Sequence, residues 1–150
     1  MPDSTDLAIL RLLQQDATLS VQAIAERIHL TTSPCWRRIQ ALEAAGFIRR
    51  RVALLNRQPL ALGVDVFVFI RTNEHNDAWL DDFTNTVAQL PEIVEAYRMS
   101  GEVDYLLRVV VGDIADYDRF YKRLVSRIKL ADVSSSFAME QLKYTTELPI

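Results

Sequence analysis

Apolar residues recur at helical spacing over roughly the first 45 positions, and strict alternation takes over after about residue 63. Leu7, Ile9, Leu10 and Leu13 follow the helical period, and Asp3 or Ser4 is placed to cap the helix they predict. Asp16-Ala17-Thr18 interrupts the pattern. Ser20 then caps a second helix, on which Val21, Ile24, Ala25 and Ile28 form one buried stripe. His29-Leu30 is a turn, and Thr31 or Thr32 caps a third helix that runs to about Ala45. Pro34 falls in its first turn, where a missing N–H costs little, and Gly46 is placed to end it. Cys35, Ile39 and Leu42 lie at i, i+4 and i+7 and face inward. Thr32, Ser33, Trp36, Arg37 and Gln40 are left mostly on the outer side.

Asn56-Arg57-Gln58-Pro59 reads as a hinge, and beyond it the elements change kind. Gly63–Thr72 alternates and is rich in β-branched and aromatic residues, which predicts a strand. Asp77–Leu90 is helical, with Trp79, Leu80, Phe83, Val87 and Leu90 on one side and Pro91 as its stop. Ile93–Met99 and Tyr105–Val111 are two more strands, followed by a helix over Asp113–Ser126 carrying Ile114, Tyr117, Phe120, Tyr121 and Leu124, and by a last strand over Val133–Tyr144. The order βαββαβ predicts a ferredoxin-like antiparallel sheet with both helices on one face. The opposite face is then apolar and open, which predicts packing against a second copy. The fold class is α+β: a helix-turn-helix domain over residues 1–50, a linking strand and hinge over 51–62, and a βαββαβ domain over 63–150.

Composition adds exclusions. With 150 residues, 49% hydrophobic and 25% charged, the chain is not collagen-like, mucin-like or disordered. One Cys excludes an internal disulfide framework and a Cys-rich zinc module. No apolar run nears the ~20 residues of a membrane helix, and MPDSTDLAIL lacks a basic flank and a cleavage site, so the expected location is the cytoplasm. The net charge of −3 conceals an asymmetry. Residues 1–60 hold eight Arg against five acids, and between Arg27 and Arg57 seven Arg accompany the single acid Glu43. Helix, tight turn, helix with small hydroxyls and Arg on the outer face fits a unit that inserts its second helix into the major groove. Arg38 joins Thr32, Ser33, Trp36, Arg37 and Gln40 as a candidate DNA contact, and Arg49, Arg50 and Arg51 are candidate clamps on the phosphate backbone.

Other chemistry is thin. Cys35 reads as a buried hydrophobe. His29 and His75 lie in different modules without metal-ligand spacing, and no phosphate loop or nucleophile motif occurs, so no catalytic residue, metal or cofactor is expected. A small ferredoxin-like enzyme and an amino-acid-binding adaptor without DNA function are the competing readings. The seven-Arg segment speaks against the adaptor. Gly101 to Tyr105 reads, on its residues alone, as an ordinary hairpin turn. Ser134, Ser135 and Ser136 are equally a set of pocket hydroxyls or the polar face of a strand.

Three segments then converge: Leu30–Ile48 (LTTSPCWRRIQALEAAGFI), Ser100–Leu107 (SGEVDYLL) and Ser134–Ile150 (SSSFAMEQLKYTTELPI). Together they resemble the leucine-responsive/asparagine-regulator family of transcription factors, the feast/famine regulators, over essentially the whole chain. The resemblance implies a winged helix-turn-helix that reads double-stranded DNA with the stretch from Thr32 to Arg38. It also implies a βαββαβ module that binds a small amino acid, forms homodimers, and assembles into a tetramer of dimers. Met99, Gly101, Glu102, Asp104 and Tyr105 fall on the family's effector loop, with Ser134, Ser135 and Ser136 as further candidates. SPCWRRI and FAMEQLKYTT look similar to the branch controlling sulfur amino acid catabolism, which implies a cysteine- or methionine-related effector, with leucine as a further candidate. One departure is that Ile128–Asp132 lacks the family's Pro-Gly turn before the last strand.

Overall fold

A computed structural model describes residues 1–150. The chain forms two compact units, Met1–Leu54 together with Leu142–Ile150, and Leu55–Gln141. No helix is long and apolar enough to cross a membrane.

The first unit holds α1 (Ser4–Gln15), α2 (Val21–Arg27) and α3 (Thr32–Ala44). Asp3 and Asp6 cap α1 reciprocally: the Asp6 N–H donates to Asp3 Oδ1 at 2.8 Å and the Asp3 N–H to Asp6 Oδ2 at 3.1 Å. Ser20 Oγ accepts from the Ala23 N–H at 3.1 Å and starts α2. Thr31 precedes α3 in extended conformation without a side-chain cap bond. The turn between α2 and α3 reverses at His29, whose φ of 56° is in the left-handed region, and the Leu30 N–H closes it on the Ala25 carbonyl at 2.9 Å. Gly46 at φ 78° ends α3, a conformation that costs glycine least. Ile9, Ile24, Ala25, Cys35, Ile39 and Leu42 form the core on which all three helices close.

The second unit comprises β1 (Val64–Arg71), α4 (Asp77–Gln89), β2 (Ile93–Arg98), β3 (Tyr105–Val111), α5 (Ile114–Arg127) and β4 (Asp132–Phe137). The sheet is antiparallel in the order β2-β3-β1-β4. Alternation decides its faces. Val66, Val68, Ile70, Leu107 and Val109 pack with Trp79, Phe83, Phe120 and Leu124 in one core. The intervening residues, among them Asp65, Phe67, Phe69, Leu106 and Arg108, point to the other face. That face is therefore not uniformly apolar, because Asp65 and Arg108 sit in it as an ion pair.

Three further expectations are corrected. The last strand ends at Phe137 rather than Tyr144. Its partner β1 begins at Val64, so after the Ala138 N–H donates to the Asp65 carbonyl the ladder runs out of partners. Residues 142–150 instead join the helical unit: Gln14 Nε2 donates to the Leu148 carbonyl at 3.0 Å and its Oε1 accepts from the Leu148 N–H at 2.9 Å. The stretch 51–56 forms no strand within this chain, and Val52, Leu54 and Leu55 stay exposed. Ile114, read with Tyr117, Phe120, Tyr121 and Leu124 as one apolar set of its helix, is instead exposed as the first residue of α5.

Candidate functional site

The outer face of α3 carries the first candidate site. Cys35, Ile39 and Leu42 turn inward, and burial pushes the Cys35 thiol pKa upward, as suits an inert core position. Thr32, Ser33, Trp36, Arg37 and Gln40 are all exposed, so the helix presents hydroxyls, an indole, a guanidinium and an amide over its first three turns. Gln40 Nε2 donates to Glu43 Oε2 at 3.2 Å along the same helix.

The arginines divide into two kinds. Arg37, Arg49 and Arg50 are exposed. Arg38, one residue on and about 100° round the helix, points back to the start of α1. There its Nη1 donates to Asp6 Oδ1 at 2.7 Å and Asp3 Oδ2 at 2.8 Å. These carboxylates hold the Arg38 guanidinium pKa above its ordinary value. The Asp3 carboxyl is held low, first by the Asp6 N–H it accepts and then by Arg38. Arg38 thus ties α3 to the cap of α1. Arg51 Nη2 pairs with Glu43 Oε1 at 2.8 Å.

The second candidate is the loop joining β2 to β3. Gly101 sits there at φ 129°, a conformation side chains rarely adopt, with open space beside it. Met99, Gly101 and Glu102 are exposed. The loop closes by the Met99 N–H donating to the Asp104 carbonyl at 2.8 Å. Asp104 is also anchored to β1: its N–H donates to the Ile70 carbonyl at 2.9 Å, and its Oδ2 accepts from the buried Thr72 N–H at 2.8 Å. Its side chain therefore has a structural task at one oxygen. Tyr105 leans on Phe83 with ring centroids 4.4 Å apart, which fixes the loop to α4.

The three serines do not converge. Ser135 turns to the helix side and hydrogen-bonds the Tyr117 hydroxyl, and burial of Tyr117 raises that phenol's pKa. Ser134 and Ser136 are exposed, opposite Phe69 and Phe67 across the β1–β4 ladder. Strand alternation forces this split.

A polar network on the open face went unrecognised in the sequence. Asp65 receives Arg57 Nη1 and Nη2 at 3.0 and 2.7 Å and Arg108 Nε at 3.0 Å. Arg108 Nη1 continues to Glu95 Oε1 at 2.6 Å, and the Tyr97 hydroxyl donates to Glu95 Oε2 at 2.8 Å. Burial raises the Asp65 carboxyl pKa, but the guanidiniums of Arg57 and Arg108 more than offset this and leave it below the usual range. Arg57, counted in the basic segment by sequence, is thereby withdrawn from it. The available signal was a lone Asp alternating with Phe67 and Phe69, two positions that one sheet face must share.

Comparison with known proteins gives concordant matches. Residues 65–148 match the Lrp/AsnC ligand binding domain, and residues 2–49 match a winged helix-turn-helix DNA-binding family. The DNA-binding transcriptional activator DecR of Escherichia coli (strain K12) is 52% identical over 151 residues, covering 100% of this chain and 99% of the relative. The glutamate uptake regulatory protein of Zymomonas mobilis is 51% identical over 148 residues, covering 99% of this chain and 90% of the relative. Among solved structures, an AsnC family transcriptional regulator from Agrobacterium tumefaciens superposes with a TM-score of 0.96 at 59% identity, covering 99% and 97% of the two chains. A transcriptional regulator from Neisseria meningitidis, solved as its L-Met complex, gives 0.94 at 35% identity with the same coverage.

Proposed function

This chain belongs to the Lrp/AsnC family of transcriptional regulators, with a DNA-binding winged helix-turn-helix and a ligand-binding domain, and from that premise we propose how its own residues divide the work. The observation that carries the proposal is the exposed α3 face of Thr32, Ser33, Trp36, Arg37 and Gln40, with Arg49 and Arg50 also exposed beyond the helix. Small hydroxyls, an amide and an unpaired guanidinium at a recognition helix's start are the groups that reach base edges, while exposed arginines after it suit phosphates. Arg37 reads the groove, Arg49 and Arg50 hold the backbone, Arg51 contributes once its pair with Glu43 opens, and Arg38 positions α3 from behind. The reading module is residues 1–50, residues 51–62 connect, and the sensing module is the βαββαβ fold that begins at residue 63. The role is regulatory rather than catalytic, and it is exercised on cytoplasmic DNA.

The effector is a small amino acid bound at the loop of Met99, Gly101, Glu102, Asp104 and Tyr105. Backbone N–H groups near Gly101 take its carboxylate, and the second oxygen of Asp104 faces its ammonium group. Methionine is the first candidate, supported by the L-Met complex of the Neisseria relative, with cysteine and leucine next. Sulfur amino acid catabolism is the controlled metabolism this favours. Ser134 and Ser136 border the open sheet face rather than this loop, and Ser135 serves Tyr117. Homodimers form through that open face, whose centre is Phe67, Phe69 and Leu106, and four dimers assemble further.

The test is fluorescence anisotropy with duplexes drawn from the DNA upstream of the chain's own reading frame. Arg37→Ala is expected to lose about 1–3 kcal/mol and to relax sequence preference. Arg50→Ala is expected to weaken all duplexes alike and reduce the salt slope by about 1. Wild-type affinity and selectivity in both variants would overturn the assignment.

A further inference from the structure

The two tryptophans of the chain are placed very differently. Trp79 is 8% exposed, and its indole N–H donates to the Lys129 carbonyl at 2.9 Å, the arrangement of a satisfied core residue. Trp36 is 52% exposed in the second turn of α3, with Thr32 and Gln40 one turn before and after it and Arg37 beside it. Its inward neighbours Cys35 and Ile39 are 0% and 2% exposed, so the core below is complete without it. A large apolar ring left in water at the start of a recognition helix needs a reason outside the fold.

We propose that Trp36 is a specificity-determining residue that packs on the C5-methyl group of thymine in the major groove. This rests on α3 being the reading helix. Base edges in that groove present hydrogen-bond donors, acceptors and a single apolar group, the thymine methyl. The polar residues on this face can satisfy the donors and acceptors, but none of them offers apolar area on Trp36's scale. Phosphates would favour a cation at this position instead, and that part is filled by Arg49 and Arg50, which are exposed beyond the helix. Positions 1, 2, 5 and 6 of α3 are Thr32, Ser33, Trp36 and Arg37, so the indole lies in the stretch of helix that lies nearest the bases in this docking mode. The ring thereby favours thymine over bases that lack the methyl at one position of each half-site.

The test replaces thymine by uracil, one position at a time, in a duplex the wild-type protein binds selectively. Base pairing is unchanged and only the methyl disappears. For the contacted thymine the wild type should lose about fourfold in affinity, the equivalent of ~0.8 kcal/mol for one buried carbon. About sixteenfold is expected when both symmetric half-sites are changed, if the two act independently. Trp36→Ala should bind the thymine duplex more weakly and show no uracil penalty at that position, while Trp36→Phe should retain part of it. Far-UV circular dichroism and the melting curve check that the exposed truncation leaves the helices intact. A uracil scan that is flat for the wild type, or a penalty that survives in Trp36→Ala, would overturn the proposal. Arg37→Ala separates the two levels of the argument. If it still loses affinity while the uracil scan is flat, α3 reads DNA and only the role of Trp36 is wrong. If no duplex is bound selectively, both fail together.

Discussion

Replacing Asp65 by Asn should destabilise the sheet unit by about 2–3 kcal/mol at neutral pH. The Asp65 side chain is 11% exposed and accepts three hydrogen bonds from two guanidiniums, Arg57 and Arg108, whose side chains are 31% and 15% exposed. Breaking a fully buried ion pair from one side typically costs about 3–5 kcal/mol. Three features reduce the figure here: Arg57 is partly solvated, Arg108 keeps Glu95 at 2.6 Å, and an amide oxygen still accepts one bond. The amide nitrogen, however, must then face a guanidinium, donor against donor. At about 4–8 °C per kcal/mol for a unit of this size, the loss is roughly 10–20 °C in melting temperature. The pH dependence supplies a second check. Because the folded Asp65 pKa lies below its unfolded value, its stabilisation is complete above the unfolded pKa near ~4 and is lost as pH falls through the folded value. Thermal unfolding followed by circular dichroism should therefore show a wide gap between wild type and Asp65→Asn at pH 7, closing toward pH 2. A gap under about 2 °C at pH 7, or one that stays constant into acid, would refute the reasoning.

Two variants separate structural from recognition roles, and one measurement tests assembly. Arg38→Ala should lower the melting temperature of the helical unit by freeing the start of α1, yet leave the pattern of preferred duplex sequences unchanged; an altered preference in anisotropy competition would return Arg38 to the groove. Asp104→Asn keeps an acceptor for the Thr72 N–H but loses the charge, so effector affinity measured by calorimetry with L-methionine, L-cysteine and L-leucine should fall about 10- to 150-fold, the equivalent of ~1.5–3 kcal/mol. Equal binding by both proteins would move the pocket elsewhere. Sedimentation at micromolar concentration should show dimers or larger species, and a stable monomer would contradict docking through Phe67, Phe69 and Leu106.

The elements that were legible are those where one local rule decides. Ser20 and Gly46 mark helix ends because an N-cap hydroxyl and a left-handed C-terminal residue act within one turn of chain. The period change near residue 63 is equally local, since a face buried on helices needs alternation. What escaped was set by pairing between distant segments. Val133–Tyr144 reads as one strand, but its length is capped by where β1 starts, and nothing in residues 138–144 encodes that. The return of Leu148 to Gln14 is likewise invisible, because a glutamine on an exposed helix face ordinarily meets only water.

The candidate sites follow the same division, and the adjacent Arg37 and Arg38 show it most directly. Residue type and charge counting treat them alike, and both enter the basic surplus of the first third. One residue of helical rotation, about 100°, sends Arg37 outward and turns Arg38 toward the two carboxylates that cap α1. Asp3 was legible as a candidate cap, and Asp6, three residues on, is the kind of acid a helix start attracts for its own dipole. That they also need a cation follows only once α3 is laid across α1. Arg57 is removed as well, by its pair with Asp65 at the start of β1. The basic footprint that indicated DNA is therefore smaller than the count implied, and it is sharper. With Arg38 and Arg57 engaged and Arg51 shared with Glu43, the exposed cations of the segment reduce to Arg27 on α2, Arg37 on the reading helix α3, and Arg49 and Arg50 after it. One reader and two clamps form a pattern that a salt titration can resolve, because only the clamps should act independently of sequence.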